Sequence, residues 1–192
     1  SLRREALAMC RKLRSGVHTD VYDSVMELAW MMRKQGRYSE AESLDREALD
    51  IVRKIFGNET KFVASKLEYL AKMIQSQGKL SEAELMWREA LAIHRKLSGE
   101  EHPAVARNLI NLASVLERQG NFAEAERLYG EALAMRRKLQ GEEHPETLSA
   151  TNEEAWRMLT CEAKELRNPE VALDFAQRTC ALAEKGGDPK LY

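Results

Sequence analysis

The sequence has little of what catalytic, metal-binding or membrane-embedded proteins depend on. Cysteine is scarce: Cys10, Cys161 and Cys180 are the only three among 192 residues. Their odd number and the lack of Cys-x-x-Cys spacing argue against a disulfide framework or a zinc site, leaving reduced thiols expected to pack on helices as small buried hydrophobes. No apolar run exceeds Leu28 to Met32, far short of the ~18 residues that cross a bilayer. The opening SLRREALAMCRKL lacks the apolar core and cleavage site of a secretory signal, so the expectation is a cytoplasmic protein or a fragment of one.

Charge of one sign is missing too. Thirty basic residues face thirty-one acidic ones, for a net charge of −1, and no field draws the chain to phosphate backbones or anionic lipid. Nucleic acid and membrane are therefore not expected partners. There is no Gly-rich phosphate loop, no nucleophile elbow and no His-Glu-x-x-His. Histidine occurs four times, at His18, His94, His102 and His144. Three of these recur at one linker position of a repeat, and packed helix layers stand ~10 Å apart, too far for two such histidines to share a zinc ion. Neither catalysis, cofactor nor metal is expected.

What the sequence does have is self-similarity. QGRYSEAESLDREAL at 35–49 returns as QGKLSEAELMWREAL at 77–91 and as QGNFAEAERLYGEAL at 119–133, a period of 42 residues. The positions kept are small residues and chain signposts. Gly36, Gly78 and Gly120 each close a helical pattern and read as left-handed terminators. Ser39 with Glu42, and Ser81 with Glu84, have the spacing of a capping box opening the next helix, which the third copy loses to Ala123. Ala29, Ala71 and Ala113 in the first helices face Ala41/Ala48, Ala83/Ala90 and Ala125/Ala132 in the second. Seven residues is two turns, so these alanines form stripes along which two backbones approach closely. Leu28, Leu70 and Leu112, with Leu49, Leu91 and Leu133, fill the crossing. Each copy is expected to be an antiparallel helical hairpin.

The second helices run through IVRKIFG, IHRKLSG and MRRKLQG to Gly57, Gly99 and Gly141, with basic residues at the negative end of the helix dipole. Pro103 and Pro145 then suit the first turn of a following helix, which sets His102 and His144 near cap positions. The expected organisation is a single solenoid: 1–15 as the second helix of a truncated repeat, repeats at 18–57, 60–99 and 102–141, a divergent last repeat at 144–185, and 186–192 as the start of a truncated next one. A piece of a longer array is the expectation.

Gly-x-x-x-Glu-Ala followed by Ala-Leu seven residues on, in helical hairpins, resembles the tetratricopeptide repeat. The period and the A-x-x-x-R-K-L-x-G-E-E-H-P linker are similar to the variety in kinesin light chains and many bacterial repeat proteins. The last unit, EEAWRMLTCEAKELRNPEVAL, is similar to repeats of bacterial regulatory proteins, some fused to kinase domains. The resemblance implies an all-α, right-handed superhelical solenoid whose first helices line a concave groove for a partner's peptide or helix. The positions it implies for partner binding are Glu27, Trp30 and Arg33 in the first repeat, Tyr69 and Lys72 in the second, Arg107 and Asn111 in the third, and Trp156 in the last. It does not extend to terminal-carboxylate capture, because the key asparagine position holds Trp30, Lys72, Ser114 and Trp156; of the paired groove asparagines of kinesin light chains only Asn111 is present.

For Trp30, Tyr69 and Trp156 two readings stand, groove anchor or packing residue. Trp87 and Tyr129 fall at a second-helix packing position, where Asp45 is a polar break in the first copy. The expected function is a non-catalytic protein-protein interaction module. The alternative is a scaffold or end-to-end self-association element of a larger, kinase-linked bacterial signalling protein.

Overall fold

The computed structural model describes residues 19–160 and 167–186, all helix and connecting turn. In chain order the helices are α1 (Thr19–Lys34), α2 (Tyr38–Phe56), α3 (Lys61–Ser76), α4 (Leu80–Ser98), α5 (Pro103–Arg118), α6 (Phe122–Gln140), α7 (Pro145–Thr160) and α8 (Pro169–Gly186). The residues expected as a truncated second helix at 1–15, with Cys10 and His18, lie outside the described residues, as do Cys161 and the segment from 187 onward. The chain divides into two compact units, one ending at Leu97 and one beginning at Ser98.

In the first unit α1 packs on α2 and α2 on α3. Val21, Val25, Leu28 and Met32 of α1 meet Ala41, Ala48 and Ile51 of α2. Leu49 and Val52 of α2 then meet Val63, Ala64, Leu67 and Leu70 of α3 and Ala90 and Ile93 of α4. In the second unit α5 packs on α6, α6 on α7 and α7 on α8. The alanine stripes lie where the sequence puts them, since Ala29, Ala41, Ala48, Ala71, Ala83, Ala90, Ala113, Ala125 and Ala132 are all buried. Each buried alanine lets a neighbouring helix come closer than a larger residue would allow, and the flanking leucines fill the rest.

The turns inside the hairpins are Schellman motifs. Gly36, Gly78 and Gly120 have φ of 75°, 80° and 82°, a region costly for any residue with a Cβ. The N–H groups of Arg37, Lys79 and Asn121 donate back to the carbonyls of Met32, Ile74 and Leu116, closing the preceding helix. These turns overturn the expected capping boxes. The Schellman turn hands the chain directly to the next helix, so α2 begins at Tyr38 with Arg37 as its cap, and no side chain bonds there. Ser39 and Ser81 therefore lie inside the first turn. Glu42 is buried and pairs instead with Arg46 at 2.8 Å and Lys79 at 2.9 Å, while Glu84 pairs with Arg88 at 2.8 Å. Ala123 accordingly costs the third copy no cap, since Asn121 makes none either.

Between hairpins the caps are made by side chains. Thr60 Oγ1 accepts from the Val63 N–H, His102 Nδ1 from the Ala104 N–H, and His144 Nδ1 from the Glu146 N–H. The linkers are also tied by charge, Glu59 to Lys96 of α4 and Glu101 to Lys138 of α6. Cys180, expected to be buried, is an exposed free thiol on α8.

Candidate functional site

The candidate residues gather within each unit separately. In the first unit Arg33 of α1 and Tyr69 and Lys72 of α3 line a cavity of about 490 Å³. The Arg33 guanidinium lies 5.4 Å from the centre of the Tyr69 ring and donates through Nη1 to Asp45 Oδ2 at 2.5 Å. Asp45 comes from α2 and is only 2% exposed. Burial pushes its carboxyl above the usual range even though Arg33 and Lys66 pull the other way, and its Oδ1 has no hydrogen-bond partner. Burial, with the Asp45 charge, raises the Tyr69 phenol as well.

The repeat register explains this arrangement. Asp45 stands where the later copies have Trp87 and Tyr129, and Arg33 where they have Gln75 and Glu117. An aromatic packing contact is thus replaced in the first hairpin by an ion pair that holds a guanidinium under Tyr69. Glu27 and Trp30 sit one turn apart on α1 and are both exposed, Trp30 by 55%. The Lys34 ammonium lies 5.6 Å from the Trp30 ring centre, within cation–π range.

In the second unit a cavity of about 610 Å³ is lined by Asn111 and Ser114 of α5, Tyr129 of α6 and Glu153, Trp156 and Arg157 of α7 among others. Trp156 is 67% exposed. Glu154, buried, pairs with Arg157, whose guanidinium covers the Tyr129 ring. The Tyr129 hydroxyl donates to Glu117 Oε2 at 3.3 Å. Burial, together with the Glu117 charge, pushes this phenol up to about 12, against the opposing Arg157 charge. Arg107 faces elsewhere: it lines a separate space of about 270 Å³ with Pro103, Arg136 and Glu146. Trp87, by contrast, is fully buried.

Sequence reasoning missed Glu154 and Arg157 as a pair. The signal was in the alignment, since Glu154 occupies the position of Leu28, Leu70 and Leu112, and Arg157 that of Met31, Met73 and Val115. It also missed His94, which is buried with Nε2 2.8 Å from Glu68 Oε1 where the first copy has Val52. Among the described residues no group of three His, Cys, Asp or Glu side chains could hold a metal ion, and no helix is long and apolar enough to cross a membrane.

Family profiles described as tetratricopeptide repeat match residues 23–60, 62–138 and 109–185. The chain belongs to the tetratricopeptide-repeat family. No curated protein matches it, but solved structures do. A crystal structure of nearly identical TPR-like repeats from Podosopora anserina, described as a kinesin light chain, superposes with a TM-score of 0.74 at 26% identity, over 96% of this chain and 85% of that one. A variant form of those repeats gives 0.74 at 25% identity, over 97% and 85%. BtubC (BKLC) from P. vanneervenii gives 0.72 at 27% identity, covering 98% of this chain and 74% of that one. Tetratricopeptide repeats generally mediate protein-protein interaction and are typically non-catalytic scaffolds. The kinesin-light-chain likeness of the 42-residue repeats is therefore shown by structure as well as by motif.

Proposed function

We propose that the chain is a non-catalytic, cytoplasmic interaction module that holds an extended or helical segment of a partner protein against the groove faces of its first helices. The observation that carries this reading is the exposure of three large aromatic side chains, Trp30, Tyr69 and Trp156, at positions that the family resemblance implies for partner contact. Two of them, Tyr69 and Trp156, line the cavities of about 490 and 610 Å³. Aromatic side chains bring large contact area at little entropic cost and dominate protein-protein affinity. In the first unit Arg33, Lys72 and Glu27 would set register beside them, and in the second Asn111, while Arg107 would meet the partner only at the separate space it lines.

The test is affinity capture with the chain and with a Trp30→Ala, Tyr69→Ala, Trp156→Ala variant, after circular dichroism shows equal helicity. Loss of the captured partner in the variant is the expected result. Retention of it, or cross-links that map only to second helices, would overturn the reading. A second reading, self-association, is favoured by Phe56 and Phe62, both exposed, stacked edge-on at 5.6 Å with Tyr22 beside them. Sedimentation equilibrium of the chain against a Phe56→Ser, Phe62→Ala variant decides it, these being close to the residues other copies carry, Ser98 and Ala104.

A further inference from the structure

The first and last hairpins share a Glu-x-x-Trp pair on their first helices, Glu27 with Trp30 and Glu153 with Trp156. A spacing of three residues sets carboxylate and indole on one helix face. In the first hairpin that face carries its own cation, because Lys34, one turn beyond Trp30, brings its ammonium to 5.6 Å from the indole centre. At the aligned position the last hairpin has Thr160, whose hydroxyl turns back to donate to the Trp156 carbonyl at 2.9 Å. Thr160 offers the Trp156 indole no cation, and that indole is 67% exposed at the edge of the 610 Å³ cavity.

Charge on that cavity points the same way. Among the described residues its charged lining side chains are Glu153, Glu154 and Arg157. Glu154 and Arg157 neutralise each other, and the Arg157 guanidinium lies over Tyr129. One carboxylate remains, Glu153, which is exposed and accepts a 3.3 Å hydrogen bond from Ser149. The described lining therefore presents one carboxylate without a paired cation beside one open aromatic face. The cavity in the first unit has the opposite balance among the described residues, since Arg33 is paired with Asp45 and Lys72 is the remaining charged side chain of its lining.

We propose that Glu153 and Trp156 form a recognition site for a basic side chain, the lysine or arginine of a partner's linear segment, with its cation over the indole and paired to the carboxylate. Lys34 over Trp30 is the chain's own version of the indole half of that contact. The proposal rests on the interaction-module reading and names the chemistry of one part of the partner. Cation–π attraction over tryptophan and the ion pair reinforce each other because both draw the same charge to the same spot.

The test uses the full chain and three capped five-residue peptides of glycine and alanine, centred on arginine, lysine or glutamate. Binding is followed by the indole N–H signals in NMR, with Trp156 assigned from a Trp156→Phe variant. The arginine and lysine peptides are expected to shift the Trp156 signal saturably and the glutamate peptide not. Glu153→Gln is expected to weaken binding about fivefold or more, and Thr160→Lys, which supplies an internal cation, to block it. Both substitutions are at exposed positions, so the fold is retained. Equal binding of the glutamate peptide, indifference to Glu153→Gln and Thr160→Lys, or no shift at Trp156 would each overturn the proposal. If the captured partner still depends on Trp30, Tyr69 and Trp156 in any of those cases, the interaction-module reading survives without it.

Discussion

Glu42 and Asp45 lie one turn apart on α2, both buried, and their acidities run in opposite directions. Burial would raise both. For Glu42 that effect is overcome by hydrogen bonds from Arg46, Lys79 and Gln77, which bring its pKa from 4.5 down to about 2. For Asp45 it is not, because a single guanidinium bond from Arg33 leaves the other oxygen unpaired. A helix face that looks uniformly acidic in sequence thus holds one carboxylate that favours the ionised fold and one that opposes it.

The pH dependence follows from these signs. The stabilisation from Glu42 is complete above about 4.5 and is lost as the pH falls from there toward 2. Urea denaturation of Glu42→Gln is expected to show a loss of about 1 to 3 kcal/mol at pH 7 that shrinks as both proteins are taken below that range. Asp45 behaves oppositely, since its raised value makes its contribution largest at low pH and lost as the pH rises through the folded value. Stability of Asp45→Asn relative to the parent should therefore improve as the pH is raised from the acid side to neutrality.

The left-handed turn glycines carry a conformational requirement rather than a packing one. A Cβ built at Gly36 or Gly120 meets nothing within 4 Å, yet φ is 75° and 82°. Gly36→Ala and Gly120→Ala are each expected to cost about 1 kcal/mol, read as a lower denaturation midpoint with an unchanged slope.

Trp87 separates from the other two tryptophans by burial. Trp87→Ala is expected to cost about 3 to 5 kcal/mol, as its side chain is fully enclosed. Trp30→Ala and Trp156→Ala, at exposed positions, should stay within about 0.5 kcal/mol. Thermal melts of the three variants check the contrast.

Glu154 and Arg157 form the ion pair that distinguishes the last hairpin. Glu154→Ala takes the buried carboxylate away from the half-buried Arg157 cation and is expected to cost about 3 kcal/mol. The double change Glu154→Leu, Arg157→Met restores the residues of earlier copies and is expected to be neutral or stabilising. A double-mutant cycle measures the coupling.

The fold was legible because it is written in small residues. The alanine stripes, the terminating glycines and the prolines at 103, 145 and 169 each fix one local geometry, and three copies agree on the alanines and glycines. The helix starts were misread because serine followed by glutamate three residues on is a capping signal only where the chain enters the helix at the serine. Here the Schellman turn brings it in two residues earlier, at Arg37. Cys180 was misread because a cysteine's hydrophobicity does not say which face of α8 it occupies. The ion pairs Arg33 with Asp45 and Glu154 with Arg157 were illegible singly. Each shows in sequence only as two separate departures from the repeat, and nothing but the packing joins them.

Two lysines tie linker to hairpin in the same way. Lys96 at the end of α4 reaches Glu59 just before α3, and Lys138 at the end of α6 reaches Glu101 just before α5, each across 37 residues. The last hairpin has Glu143 with Cys180 at that spacing. The ties are exposed and individually weak, but they join the entrance of a hairpin to its own exit. A segment that closes on itself carries its junction chemistry with it when its coding sequence is duplicated, so an array of this kind can lengthen by copying without a new contact having to be invented at each seam.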